Sequence, residues 1–465
     1  MPLEFMVIFA STTHLKIKNK MVTQQSIKPK LGVFDLSIIV ISLVIGMGIF
    51  RTPSEVASKA GTPEIFFAAW IIGAIISLFG ALTFAEIGSR IPTAGGFYKL
   101  FSICYNPVFA FMVNWITVIS NAASTAAVAI MGSAYIAPLL LPGTEESLAT
   151  MIVTIGTVFI LLIINLLGIK ISAMVLNGLM IIKIGLILLL ISCLFVVFGQ
   201  ESTAEIVKPL PVEANPFKAF IMCFIPVFFT YGGYQHTINF GSDIANPSRT
   251  LPKSIFIGIT IILVLYLTVN FSYFSVLGFE QLASTKTLAS DMVSILFGKT
   301  ASVFLSVVMF FAVMAYVNVS ILSNPRVYFA MAEDKVLPKA FMRVNSKTQV
   351  QEIGVIVFCA FIFITLFFTQ SFEKILQYVM FFDSISLIAA AGAIFILRAR
   401  AKKHQTDETQ IFKLKFYPWL PSLYILVYTL VNISVFVSNK EAFGWGAVLF
   451  VSGFPLFYLI RKAIS

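Results

Sequence analysis

Residues 38–50 read Ile38-Ile39-Val40-Ile41-Ser42-Leu43-Val44-Ile45-Gly46-Met47-Gly48-Ile49-Phe50, and residues 226–234 read Pro226-Val227-Phe228-Phe229-Thr230-Tyr231-Gly232-Gly233-Tyr234. Each is an apolar run interrupted at its middle by glycines. Glycine inside a helix costs about 1 kcal/mol relative to alanine, and Pro226 removes a backbone donor. Facing lipid, each unpaired backbone group would cost several kcal/mol, so a break at that depth survives only where it lines a cavity. The half-helix that begins after Gly46–Gly48 offers free N–H groups and the positive end of a dipole, which suit a carboxylate. Carbonyls left free around Val44 and Phe229–Gly232 suit an ammonium group. A site that holds both is a zwitterion site, hence one for an α-amino acid. Close helix packing explains a single glycine pair equally well, but matching breaks in two places weaken that alternative.

The surrounding chain is membrane-like. Of its 465 residues, 58% are hydrophobic and 11% charged, and the mean hydropathy is +0.95. Soluble domains carry roughly 25% charged residues, so a soluble enzyme, a disordered chain and an ordinary nucleic-acid-binding domain are excluded. A membrane-crossing helix needs about 20 apolar residues. Twelve runs qualify: 33–57, 64–88, 105–138, 150–168, 174–198, 217–243, 253–278, 292–331, 353–369, 374–398, 418–437 and 443–461. Their continuity excludes a strand barrel, whose segments alternate, and the longest imply tilt or extension beyond the bilayer. The glycine breaks fall in the first and sixth runs. Five helices per half force the two halves into opposite orientation, and matching breaks in inverted halves point to a site at the membrane midplane. The expected fold is therefore all-α and polytopic, with a tail (1–31), a first five-helix repeat (32–200), a second, inverted repeat (201–400), and a loop with two last helices (401–465).

The net charge of +11, from 32 Lys+Arg against 21 Asp+Glu, follows the same topology. With the N-terminus inside, 23 basic residues fall on inner segments and eight on outer ones, leaving Lys183 within a span. This places both termini in the cytoplasm, as the positive-inside rule requires, although Lys170 is a lone charge in a short connection. Leu3–Ala10 has no basic residue before it, the reverse of a secretory signal, so no cleaved leader is expected and Met21 is a candidate start. Cys104, Cys193, Cys223 and Cys359 lie in or beside apolar runs without a C-x-x-C pair, and read as packing residues. No His/Asp/Glu cluster has metal-ligand spacing, and no cofactor is expected.

Four motifs carry a resemblance. Gly46-Met47-Gly48-Ile49-Phe50 with Thr52-Pro53 is similar to the first-helix signature of the amino acid–polyamine–organocation superfamily. Phe84-Ala85-Glu86-Ile87-Gly88-Ser89-Arg90-Ile91-Pro92-Thr93-Ala94-Gly95-Gly96 resembles its second-helix exit. Tyr231-Gly232-Gly233-Tyr234 leading to Asp243-Ile244-Ala245-Asn246-Pro247-Ser248-Arg249-Thr250-Leu251-Pro252 resembles its sixth helix and the following loop. Arg326-Val327-Tyr328-Phe329-Ala330 through Leu337-Pro338 resembles the exit of its eighth. The likeness covers about residues 30–400 and is greatest to the L-type amino acid transporter branch and its bacterial relatives.

The resemblance implies two inverted repeats and a substrate held by unwound parts of helices 1 and 6. Gly46, Met47 and Gly48 would bind the carboxylate. Val44, Phe229 and Gly232 would face the amine, with Phe229 also an aromatic gate. Met47 stands where serine is common, which removes a hydroxyl contact. Ser242-Asp243 replaces a frequent paired glutamate, so Asp243 is the one carboxylate left for an inner gate. Lys183 resembles the built-in cation of sodium-independent members, expected near Ser320. Asp383 stands where the branch usually has asparagine; it would recognise a polar or cationic side chain, carry a proton, or simply bond between helices. His236 is open between pH sensing and packing, and Asn121, Ser124 and Gln235 are candidate pocket groups. The expected function is secondary transport of L-amino acids across the plasma membrane, by exchange or with protons. A polyamine or organic-cation transporter stays open through Asp383. A membrane-embedded enzyme lacks the clustered residues it would need. The expected partners are an amino acid and the bilayer, with no nucleic acid. No outer-loop cysteine is available for a disulfide-linked accessory subunit. The lysine at 183 generates a direct expectation: uptake stays unchanged when sodium is replaced by choline, and uptake that vanishes refutes it.

Overall fold

The computed structural model describes residues 32–464, apart from 47, 92–95, 198–214, 236–245, 286, 369–371, 406–407, 410 and 439. The described residues form helices and loops without strands. In chain order the helices are α1 (Val33–Val44), α2 (Thr52–Ala60), α3 (Pro63–Arg90), α4 (Gly96–Cys104), α5 (Pro107–Leu140), α6 (Glu146–Leu167), α7 (Ile169–Val197), α8 (Pro216–Tyr231), α9 (Pro247–Ser284), α10 (Leu288–Phe297), α11 (Lys299–Ser323), α12 (Pro325–Glu333), α13 (Glu352–Phe368), α14 (Phe372–His404), α15 (Trp419–Ser438) and α16 (Lys440–Ile464). Several start on one local pattern, an Asn or Thr followed by Pro. Thr62, Asn106 and Asn215 accept hydrogen bonds from the first free N–H groups of α3, α5 and α8. Proline fits the first helical position because its missing donor is not needed there.

Among the described residues nine segments are long and apolar enough to cross a membrane. The other three expected runs fall on the segments broken at residues 45–46 and 232–235 and on the 17-residue α13. The expected span 292–331 needs correction. It starts too early: Gly298 (φ +83°) separates α10 from α11, whereas α11 and α12 follow each other through Asn324, whose backbone stays right-handed helical (φ −62°, ψ −36°), as one long candidate span, Lys299–Glu333. Gly298 adopts the left-handed backbone that glycine tolerates. Likewise α9 is longer than expected and kinks at Gly278 (φ +73°).

The helices fall into two groups. One contains α1, α2, α3, α8 and α9; the other contains α5, α6, α7, α11 and α13. The long α14 packs on both α3 and α5. α5 is central because residues 122–129 are small (Ala, Ser, Thr and one Val), which lets neighbours approach closely. Side chains on the outer faces are large and apolar, such as Ile181 and Phe304, as a lipid-facing belt requires.

At one end α3 is tied to α14 and to the loop before α15 by a buried charge. Glu86 on α3 is fully buried and accepts from Arg90 Nε (2.8 Å), Arg398 Nε and Nη2 (2.8 and 2.6 Å) and the backbone N–H of Leu414 (2.7 Å). Arg398 lies on α14 and stacks over the Tyr417 ring at 3.8 Å. Arg90 also pairs with Glu408, which Lys413 holds at 2.8 Å. Lys413 and Arg90 hold the Glu408 carboxyl below the usual glutamate range. A lowered folded value means that this tether is complete above the ordinary range and is lost as pH falls through the folded value. Glu86→Gln leaves two guanidinium groups partly unpaired. We expect it to destabilise the fold by about 3 kcal/mol, the low end for a broken buried pair because Arg398 keeps some water contact. Thermal unfolding in detergent reads this, and an unchanged midpoint would contradict it.

Candidate functional site

α1 stops where the sequence predicts. The bond from Ile45 N–H to Ile41 carbonyl (2.8 Å) is its last, after which Gly46 N–H turns back to the Val44 carbonyl (2.5 Å). A single 3-10 turn, Gly48–Phe50, leads into α2. The Gly48 carbonyl accepts from Arg51 N–H (3.0 Å) and from the Thr52 hydroxyl (2.7 Å). α8 stops at Tyr231, and Gly232 (φ −58°, ψ 156°) and Gly233 (φ +119°) carry the chain out of helix. The last carbonyls of such a helix lack intrahelical partners. The Phe228 and Phe229 oxygens lie 3.3 and 3.2 Å from where a side chain on Gly232 would begin. Gln235 folds back, its Oε1 accepting from Gly233 N–H at 2.8 Å.

The two breaks touch. A methyl group on Gly48 would lie 2.5 Å from Thr230 Oγ1 and 2.9 Å from its Cα, so glycine is what allows this approach. The Thr52 and Thr230 hydroxyls are 2.5 Å apart, and Thr230 also reaches the Pro226 carbonyl at 2.8 Å. Two hydroxyl hydrogens therefore serve three contacts. From α9, the Tyr266 hydroxyl donates to the Val44 carbonyl (3.0 Å) and the Thr230 carbonyl (3.3 Å), one from each broken helix. Tyr266 is fully enclosed between them. Nothing local in the sequence separates it from the other tyrosines.

Other polar side chains pair between α5, α11 and α14. The Ser120 hydroxyl donates to Asp383 Oδ1 at 2.7 Å, joining α5 to α14. Ser124 bonds the Tyr316 hydroxyl on α11 (3.1 Å), and Asn121 donates to Asn324 (2.7 Å). Phe228 of α8 stacks on Tyr428 of α15 with centroids 4.9 Å apart. Lys183 is buried at 5% exposure on α7 and has no carboxylate partner among the described residues. α7 packs on α11, the helix of Ser320, which is also buried, but the two side chains are not hydrogen-bonded to each other. Beside them, Asn165, Ser172 and Asn318 interlock α6, α7 and α11 through bonds of 2.8–3.1 Å.

The structure thus brings Gly48 against Thr230 near the end of α8, links Val44 to Thr230 through the Tyr266 hydroxyl, and sets Asp383 against Ser120, while Gly46 has only the Val44 carbonyl nearby. Met47, His236 and Asp243 lie outside the described residues. Among the described residues no three His, Cys, Asp or Glu side chains group to hold a metal ion. Tyr266→Phe removes the shared donor without changing shape. One lost hydrogen bond of about 1 kcal/mol corresponds to roughly a fivefold slower turnover. We expect that loss in uptake assays with folding preserved by circular dichroism; full activity would show that the shared hydroxyl is idle.

Comparison with known proteins identifies the family. The amino acid permease family model matches residues 31–460. The chain is 28% identical over 440 residues to the serine/threonine exchanger SteT of Bacillus subtilis, covering 94% of this chain and 98% of that one. It is 24% identical over 433 residues to the human cystine/glutamate transporter (90% and 83% covered). It is 25% identical over 427 residues to the branched-chain amino acid permease BcaP of Bacillus subtilis (87% of each chain). The family model covers most of the chain, including both broken helices, and the chain therefore belongs to the amino acid permease family.

Proposed function

We propose that this chain is a secondary transporter of L-amino acids that works by alternating access, a transporter rather than an enzyme. The observation that carries the reading is the contact between the two broken helices, where backbone groups of both converge. Relatives named for serine and threonine, for cystine and glutamate, and for branched-chain residues have only the α-amino acid backbone in common among their substrates. A site built from main-chain groups suits that common part. In this reading Gly46, Met47 and Gly48 take the carboxylate, and the carbonyls of Val44, Phe229 and Gly232 take the ammonium. An ammonium at Val44 competes with the Tyr266 hydroxyl, so substrate binding exchanges one hydrogen bond for another. Phe229 closes over the substrate and Asp243 serves the inner gate.

The architecture that goes with this function is twelve spans in the plasma membrane: two inverted five-helix repeats (32–200 and 201–400), two further helices, and both termini in the cytoplasm. The basic residues on the inner segments support that orientation. Lys183 takes the place of a sodium ion and, with Ser320, steadies the site, so transport proceeds by exchange or with protons. The four cysteines are all buried, which favours a carrier without a disulfide-linked accessory subunit. Asp383 reads the side chain: its Oδ1 holds Ser120, and a carboxylate there accepts from a hydroxyl or a cation.

Counterflow of radiolabelled amino acids in proteoliposomes tests the reading. We expect exchange of polar amino acids, and failure of every amino acid with polyamines active would overturn it in favour of an organic-cation carrier. Asp383→Asn should raise the KM for substrates with hydroxyl or cationic side chains roughly tenfold to a hundredfold, the value of a hydrogen bond to a charged group, while leaving apolar substrates unchanged. An equal change for both classes would place Asp383 away from the side chain.

A further inference from the structure

A cavity of about 430 Å³ lies at the end of α3 and α14 and is lined by Arg90, Arg398, Lys402, Lys413 and Glu408. It is a built feature. Glu86 occupies the inner edges of both guanidinium groups, which fixes Arg90 and Arg398 while Lys402 and Lys413 remain exposed. Among the described residues Glu408 is the one carboxylate in its lining. With Glu86 behind, two carboxylates among the described residues face four cations. The loop that closes the cavity also carries Phe416, and Trp419 opens the helix that follows it, each about three-quarters exposed at 74% and 75%. Exposed aromatic residues of this kind sit at the boundary between lipid tails and headgroups. Lys415 lies exposed beside them.

We propose that this cavity binds the phosphate headgroup of an anionic lipid in the leaflet that the Phe416–Trp419 segment enters. Arginine presents a planar set of donors that matches phosphate oxygens, and basic pockets at the ends of membrane helices recognise such headgroups. Glu408 is then an internal stand-in, held by Arg90 and Lys413 until a phosphate displaces it. A bound headgroup would join the end of α3 to the loop before α15 through lipid rather than through protein. The proposal does not depend on which solute is carried.

Full-length protein in nanodiscs of phosphatidylcholine, titrated with phosphatidic acid and read by native mass spectrometry and thermal shift, tests it. We expect saturable phosphatidic acid binding that raises the unfolding midpoint. The double variant Lys402→Gln/Lys413→Gln should weaken binding roughly 25-fold, from two basic groups near the surface. Glu408→Gln should strengthen binding, because the competing carboxylate is gone. Lys339→Gln/Lys347→Gln, exposed lysines outside the cavity, should change nothing. Equal response to phosphatidylcholine alone, equal loss in both lysine pairs, or weaker binding in Glu408→Gln would overturn the proposal. Saturation by inorganic phosphate at the same concentrations as the lipid would overturn it in favour of a free-phosphate site.

Discussion

A polypeptide that stops being helical inside a membrane leaves N–H and C=O groups without partners, and water is not there to take them. The rest of this structure is arranged around that constraint. After α1 stops, the 3-10 turn and α2 pack on α8, with Gly48 removing the side chain that would hold them apart. Tyr266 and the two threonines then supply hydroxyls where backbone donors run out. The break is affordable because a neighbouring helix completes it.

Charge is used with similar economy. Glu86 is buried, and desolvation alone would make an ionised carboxylate there costly; five polar contacts from two arginines and a backbone amide offset that. The contacts come from three separate parts of the chain, α3, α14 and the loop before α15. The tie therefore does for the ends of the helices what Tyr266 does for their middles: it joins elements far apart in sequence through one polar group. Lys183 is the contrasting case, a buried cation whose neighbours are largely apolar helices.

Much of this was legible in the residues themselves. The breaks at Gly46–Gly48 and Gly232–Gly233 are local chemistry, and so are the Asn-Pro and Thr-Pro helix starts. The run 292–331 misled at its start because hydropathy averages over Gly298, whose left-handed backbone separates α10 from the span that follows. The partners of buried groups were not legible. Glu86 reads as one more acidic residue at the inner edge of a span, since Arg398 is 312 positions away. Tyr266 is one of 14 tyrosines, and only packing shows that its hydroxyl lies between two broken helices. Lys183 was legible as a buried charge, but the absence of a bond to Ser320 depends on how α7 is rotated against α11, which no local pattern encodes.

The threonine pair has a consequence of a different kind. Thr52 and Thr230 have two hydrogens between them and three oxygens to serve, so one carbonyl, Gly48 or Pro226, goes without a hydroxyl at any moment. The Gly48 carbonyl keeps a backbone donor in either case. The two arrangements differ only in which way a pair of O–H bonds points, and hydroxyls reorient in picoseconds to nanoseconds. Exchange between them reverses a small dipole without moving a heavy atom. The protein therefore carries, at the meeting point of its two broken helices, an electrical element whose polarity adjusts to whatever charge is brought beside it.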